Sequence, residues 1–120
     1  EVKFCFSFAM RFISKELCPI SETGKNDFFK VEIQVEDTGS MLFERTISSI
    51  DVEAKGNSLG LSDFGHDGGW EWIEVQLPDV PLTKPTYFSF RAMSMNVGDF
   101  ALDSIGYLDS LKIAPCTSTD

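Results

Sequence analysis

Histidine, paired cysteines, basic residues and long apolar runs are all scarce in this chain, and each shortage removes a class of function. One histidine accompanies three cysteines, Cys5, Cys18 and Cys116. None of them stands in C-x-x-C spacing, so zinc centres and thioredoxin-type redox chemistry both lack material. Ten basic residues against nineteen acidic ones give a formal charge of −9. That charge argues against nucleic acid and anionic membrane as partners, because binding there depends on neutralising phosphate. Metal cations and neutral ligands remain. No apolar run reaches the roughly 18 residues a spanning helix needs, so no membrane insertion is expected. The opening EVKFCFSF lacks the basic start and cleavage pattern of a signal peptide, so the chain reads as a mature or excised module.

What is present is period-two alternation. A chain of 120 residues with 42% hydrophobic content has material for one ordinary core, and residues 1–120 are expected to form a single domain. Val2, Phe4, Phe6, Phe8, Met10 and Phe12 share one parity, the signature of a long strand with one face in a core. Ser14 to Asp27, with Pro19 and Gly24, reads as a loop. Phe29, Val31, Ile33 and Val35 then alternate with Lys30, Glu32, Gln34 and Glu36. Asp37-Thr38-Gly39 predicts a hairpin turn into a strand over Met41 to Ile50.

From Asp51 to Gly69 the pattern breaks into glycine-rich pieces, with room for a short strand near Asp51 to Ala54. Trp70 to Leu77 and Tyr87 to Ser94 resume the alternation, and a last strand from Ile105 to Ile113 places Tyr107, Asp109, Leu111 and Ile113 on one parity. No segment shows a helical period. About seven strands with no helix predict an all-β fold, an antiparallel two-sheet β-sandwich, in which phenylalanines from facing sheets fill a gap of roughly 10 Å. The cysteines allow one disulfide with a residue left over, and equally allow Cys5 to be a small buried side chain.

Catalytic groups are thin. His66, in FGHDGG between Asp63 and Asp67, is the one imidazole, and no nucleophile turn accompanies it, so the chain is expected not to be an enzyme. Oxygen ligands for calcium are better supplied: Glu16, Asn26 and Asp27 flank the first long loop, and Asp99 and Asp103 sit in a later one. The same aspartates would also serve as turn formers that accept from backbone amides. Asp109, within the final strand, would be met by neighbouring backbone or by a basic side chain such as Arg91. For ligand contact, Trp72 lies on the outward parity beside Glu74 and Gln76, Tyr87 shares its parity with Arg91, and Trp70 stands at a strand entrance. Aromatic rings of this kind are platforms for the apolar face of a sugar. Core packing is the alternative for each.

The run GGWEWIEVQLP, then YFSFRA, then GDFALDSIGYLDSLKI resembles the C-terminal half of MAM-type jelly-roll domains, whose last strands carry G-D-[IF]-A-[IL]-D-[DS]-I. Over about 100 residues the chain is similar to the bacterial extracellular "choice-of-anchor" β-sandwich modules. The shared features are F-x-S-x-E at Phe12, Ser14 and Glu16, N-D-x-F at Asn26, Asp27 and Phe29, and V-G-D-x-x-x-D-S at Val97 to Ser104. The resemblance implies a jelly-roll module of the secreted or cell-surface kind, non-catalytic, serving cell adhesion or carbohydrate binding. Related modules often hold a structural calcium ion. The cysteines depart from the MAM disulfide pattern. The expected function is therefore an extracellular carbohydrate-binding module that recognises a polysaccharide or cell-surface glycan. A protein-protein interaction or architectural domain presenting Tyr87, Arg91 and Met93 is the alternative, and a glycan-active enzyme ranks below both.

Overall fold

A computed structural model describes residues 2–17, 26–55, 64–79, 85–96 and 104–117; the side chains of Glu16, Leu17 and Phe64 are outside that description. Seven strands and one short helix follow one another as β1 (Phe4–Leu17), β2 (Phe28–Val35), β3 (Met41–Ser48), α1 (Ser49–Lys55), β4 (Phe64–Asp67), β5 (Glu71–Gln76), β6 (Phe88–Met95) and β7 (Ile105–Pro115). All pairings are antiparallel. In the first sheet β1 is central, with β7 along one edge and β4 and β5 end to end along the other. The second sheet has the order β3-β2-β6. The all-β, two-sheet expectation is met.

The parity of β1 decides the core. Phe8, Met10 and Phe12 are fully buried, and they face Phe29, Val31 and Ile33 of β2. Rings from the two sheets interlock: Phe8 meets Phe43 and Phe90 edge-on, while Phe12 stacks on Phe29 at 6.3 Å. Such contacts add to the area term that drives sandwich formation. Gly106 of β7 is required by this packing, because a Cβ there would run into the Phe29 ring.

Two expectations are corrected. Residues 49–55 form a helix, not a strand. Its start carries a reciprocal cap: Ser48 N–H donates to Asp51 Oδ2 at 2.9 Å and Asp51 N–H donates to Ser48 Oγ at 3.3 Å. This satisfies two otherwise orphaned donors, and Val52 anchors the helix in the core. The segment after residue 13 is also not all loop, since β1 continues to Leu17 and pairs there with β4. Cys5 and Cys116 form a disulfide with a Cα–Cα distance of 4.9 Å, so Cys18, outside the described residues, is the cysteine left over.

The single parity expected for β7 also fails. Phe8 of β1 stands opposite two residues of β7, Ser110 and Leu111, with Ser110 at φ 58°. This bulge shifts the alternation by one. Tyr107 and Asp109 therefore share the outward face with Lys112, while Leu108 and Ile113 point to the inner side with Met10 and Phe6.

Candidate functional site

The outer face of the first sheet carries the aromatic platform. Trp72 lies opposite Ala9 of β1, and Tyr107 lies opposite Arg11, so both rings rise from the face that turns away from the core. Trp70 precedes β5 and packs 6.3 Å from Tyr107. Trp70 and Trp72 are 50% and 51% exposed, too open for core residues of their size. Small residues on β1 make this possible, since Ser7 and Ala9 leave the long side chains of the flanking strands to stand clear.

Charge is interleaved with the rings. The Arg11 guanidinium sits 5.7 Å from the Trp70 ring and 5.8 Å from that of Tyr107. Its Nε donates to Asp67 Oδ1 at 2.9 Å, and its Nη2 donates to Oδ2 of the same carboxylate. Asp67 also accepts from the Gly69 amide at 2.8 Å. The hydrogen bond from Arg11 holds the Asp67 carboxyl below its ordinary value, against a smaller opposing effect of burial, and the same bond raises the guanidinium. The pair fixes Arg11 between the two rings, with the fork geometry that favours arginine at such positions. Lys112 lies 5.9 Å from the Trp72 ring. Glu74 accepts from Thr117 Oγ1 at 2.7 Å. Arg11, Tyr107 and Lys112 were missed as platform residues. Arg11 was legible on the outward parity of β1, whereas Lys112 depends on the bulge.

Tyr87 and Arg91 do not join this face. Tyr87 is exposed just before β6, and Arg91 lies opposite Glu32 on the second sheet. Trp70 and Trp72 are thus brought together, and Tyr87 and Arg91 belong to a separate surface. Arg91 does not serve Asp109 either, whose Oδ1 accepts from the neighbouring Ser110 amide at 2.8 Å.

A second polar assembly closes one end of the sandwich. Asp27 is fully buried and its Oδ2 accepts from Ser104 Oγ at 2.7 Å. The backbone carbonyl of Asp27 accepts from Ser49 N–H, and Ser49 in turn meets Ser14 through a hydroxyl contact of 2.6 Å. Asn26 Oδ1 accepts from Ile50 N–H, and Asn96 Oδ1 accepts from Ser104 N–H. Five chain segments are therefore linked in one hydrogen-bonded network around Asp27, whose buried carboxylate is costly to desolvate and specific once satisfied. Asp99 and Asp103 lie outside the described residues, as does the side chain of Glu16, so of the calcium ligands expected from sequence the structure places Asn26 and Asp27 side by side. Among the described residues no group of three His, Cys, Asp or Glu side chains gathers as a metal cluster.

The opposite end, where β1 begins, holds an apolar pocket of about 440 Å³ walled by Phe4, Leu77, Pro78, Pro85, Phe88 and Ile113. Lys3 and Asp79 pair at its rim, 3.6 Å apart. His66 faces Ser14 across the β1–β4 ladder. The Ser14 hydroxyl contacts Ser49 and the Asp67 carboxylate is taken by Arg11, while Asp63 is outside the described residues. Comparison with known protein families, with characterised proteins and with solved structures returns no match.

Proposed function

We propose that this chain is a non-catalytic extracellular binding module whose first sheet presents Trp70, Trp72 and Tyr107 to a carbohydrate. The observation that carries the reading is the placement of three exposed aromatic residues on one sheet face with charged side chains between them. Sugar rings offer an apolar C–H face to stack on indole or phenol, and hydroxyls that hydrogen-bond to the carboxylates and cations beside them. Strands hold such rings rigidly, which lowers the ordering cost of binding. The Cys5–Cys116 disulfide supports a secreted or cell-surface setting, where such bonds persist. The likeness to jelly-roll adhesion modules points the same way. Affinity electrophoresis through neutral and acidic polysaccharides should retard the wild-type chain, with retardation lost in Trp72→Ala and reduced in Trp70→Ala. Free migration in every polysaccharide would refute the carbohydrate assignment.

A structural calcium at the buried Asp27 belongs to the same proposal. Asp27 and Asn26 present hard oxygen donors at one end of the sandwich, and Asp103 immediately precedes Ser104, the residue bonded to Asp27. A cation bound only by the folded chain stabilises it by mass action. Chelator should lower the melting temperature, added calcium should restore it, and Asp27→Asn should abolish the response. A melting temperature indifferent to chelator would leave Asp27 as a hydrogen-bonding tie.

A protein partner is the second reading. The apolar pocket at the start of β1 and the separate surface of Tyr87, Arg91 and Met93 favour it, because both offer apolar contact without the platform's charges. Binding to a partner that survives Trp72→Ala would select it.

A further inference from the structure

The bulge in β7 gives that strand an internal symmetry. On the N-terminal side of Ser110-Leu111 the residues run Gly106 in, Tyr107 out, Leu108 in and Asp109 out; on the C-terminal side they run Lys112 out, Ile113 in, Ala114 out and Pro115 in. The two halves mirror each other in which face each residue occupies. A regular strand has no such centre between two residues, since its faces alternate without interruption.

β7 is also an edge. It pairs with β1 and, among the described residues, with no other strand. Its inward apolar side chains are left open: Leu111 and Ile113 are 51% and 55% exposed, and Leu108 is 37% exposed. A long edge strand with open apolar residues is a template for pairing with another chain.

We propose that a second copy of this chain pairs antiparallel along β7 about a two-fold axis between Ser110 and Leu111. In that register Asp109 of one copy stands opposite Lys112 of the other, and Leu108 stands opposite Ile113. Each match occurs twice, because a two-fold contact is isologous. Both members of each match lie on the same face, which the bulge alone makes possible. Opposite charges directly across a ladder attract and like charges repel, so the charges of β7 select this register against its neighbours. Pairing stops at Pro115, which has no N–H to give. The product is a continuous sheet in which the two first sheets are joined edge to edge and the outer faces of both copies lie on one side.

Sedimentation velocity over a concentration series tests the assembly. The wild-type chain should form a dimer. Asp109→Lys and Lys112→Asp, each placing like charges across the axis twice, should each raise the dissociation constant by about tenfold or more. The double reversal, Asp109→Lys with Lys112→Asp, should return it to near the wild-type value. Both residues are exposed, so the fold is not at stake. In a Cys18→Ser background, Leu108→Cys mixed with Ile113→Cys should cross-link between copies under mild oxidation, and neither variant alone should. A chain that stays monomeric at the highest soluble concentration overturns the proposal. So does a dimer indifferent to the single reversals, or a cross-link that forms within one variant alone.

Discussion

Removal of the Cys5–Cys116 bond is the perturbation whose size follows most directly from the fold. The two cysteines are 111 residues apart in sequence, so the cross-link closes nearly the whole chain into one loop. In the chain-entropy account, a loop near 100 residues loses denatured-state freedom worth about 4.7 kcal/mol. A domain of this size has a total stability of only about 5–15 kcal/mol, so the bond is a large share of it. Cys5→Ala with Cys116→Ala, made in a Cys18→Ser background to prevent exchange, should therefore lower the urea-unfolding free energy by about 4–5 kcal/mol. With an unfolding entropy of about 2.1 cal/mol/K per residue, the melting temperature should fall by about 15–20 °C. The urea dependence should steepen as well, because the uncross-linked denatured chain exposes more surface. Reduction of the chain with intact cysteines should reproduce the shift, which separates the loop term from any packing lost at the buried Cys5. A loss below about 1 kcal/mol would refute the reasoning.

Three further outcomes are expected. Gly106→Ala places a Cβ against the Phe29 ring, and displacement of that ring from its stack on Phe12 should cost about 1–3 kcal/mol in chemical denaturation. In contrast, Gly39→Ala, with nothing near its Cβ but a φ of +71°, should lose only about 1 kcal/mol, from backbone strain alone. The depressed carboxyl of Asp67 contributes stability that is fully present above its ordinary value of 3.8 and is lost as pH falls through the lower folded value. The difference in urea midpoint between wild type and Asp67→Asn should therefore be constant near neutrality and shrink on acidification below 3.8, with the unfolded chain binding the extra proton. Arg11 stays charged throughout that range, so a midpoint difference that grew on acidification would contradict the assignment.

The strands were legible in the sequence where one face is core and the other is not. β1 and β2 show this most clearly, because Phe8, Met10, Phe12, Val31 and Ile33 are fully buried and, Ile13 apart, the residues between and beside them are polar or small. The helix was not legible by period, since the seven residues of Ser49–Lys55 make barely two turns. Its signal was local instead: Ser48 followed by Asp51 is a capping pair, and this chemistry acts without any repeat. The candidate site divided in the same way. Parity identified Trp72 and Tyr87 as outward, but parity names a face without naming a sheet. The division of Trp70 and Trp72 from Tyr87 and Arg91 follows from β5 pairing with β1 and β6 pairing with β2, a matter of topology that alternation does not encode.

Ser110 explains why simple alternation does not predict the faces of β7, with a consequence for the platform. A serine at φ 58° gives none of the warning a glycine gives, so the bulge is silent in the sequence and a regular strand is the natural expectation. A regular strand that kept Tyr107 and Asp109 outward would turn Lys112 to the inner side, among the apolar residues that line up with Phe6 and Phe8 and away from the Trp72 ring. It would also turn Leu108 inward but Ile113 outward, splitting the apolar residues between two faces. The extra residue resolves both conflicts at once: Lys112 returns to the outer face, 5.9 Å from the Trp72 ring, and Ile113 returns to the inner side opposite Phe6. One left-handed serine costs about 1–3 kcal/mol, and it keeps the ammonium on the outer face and Leu108 and Ile113 together on the inner one. The same residue that breaks the alternation therefore completes the cationic side of the aromatic face and sets the centre about which β7 matches its own copy.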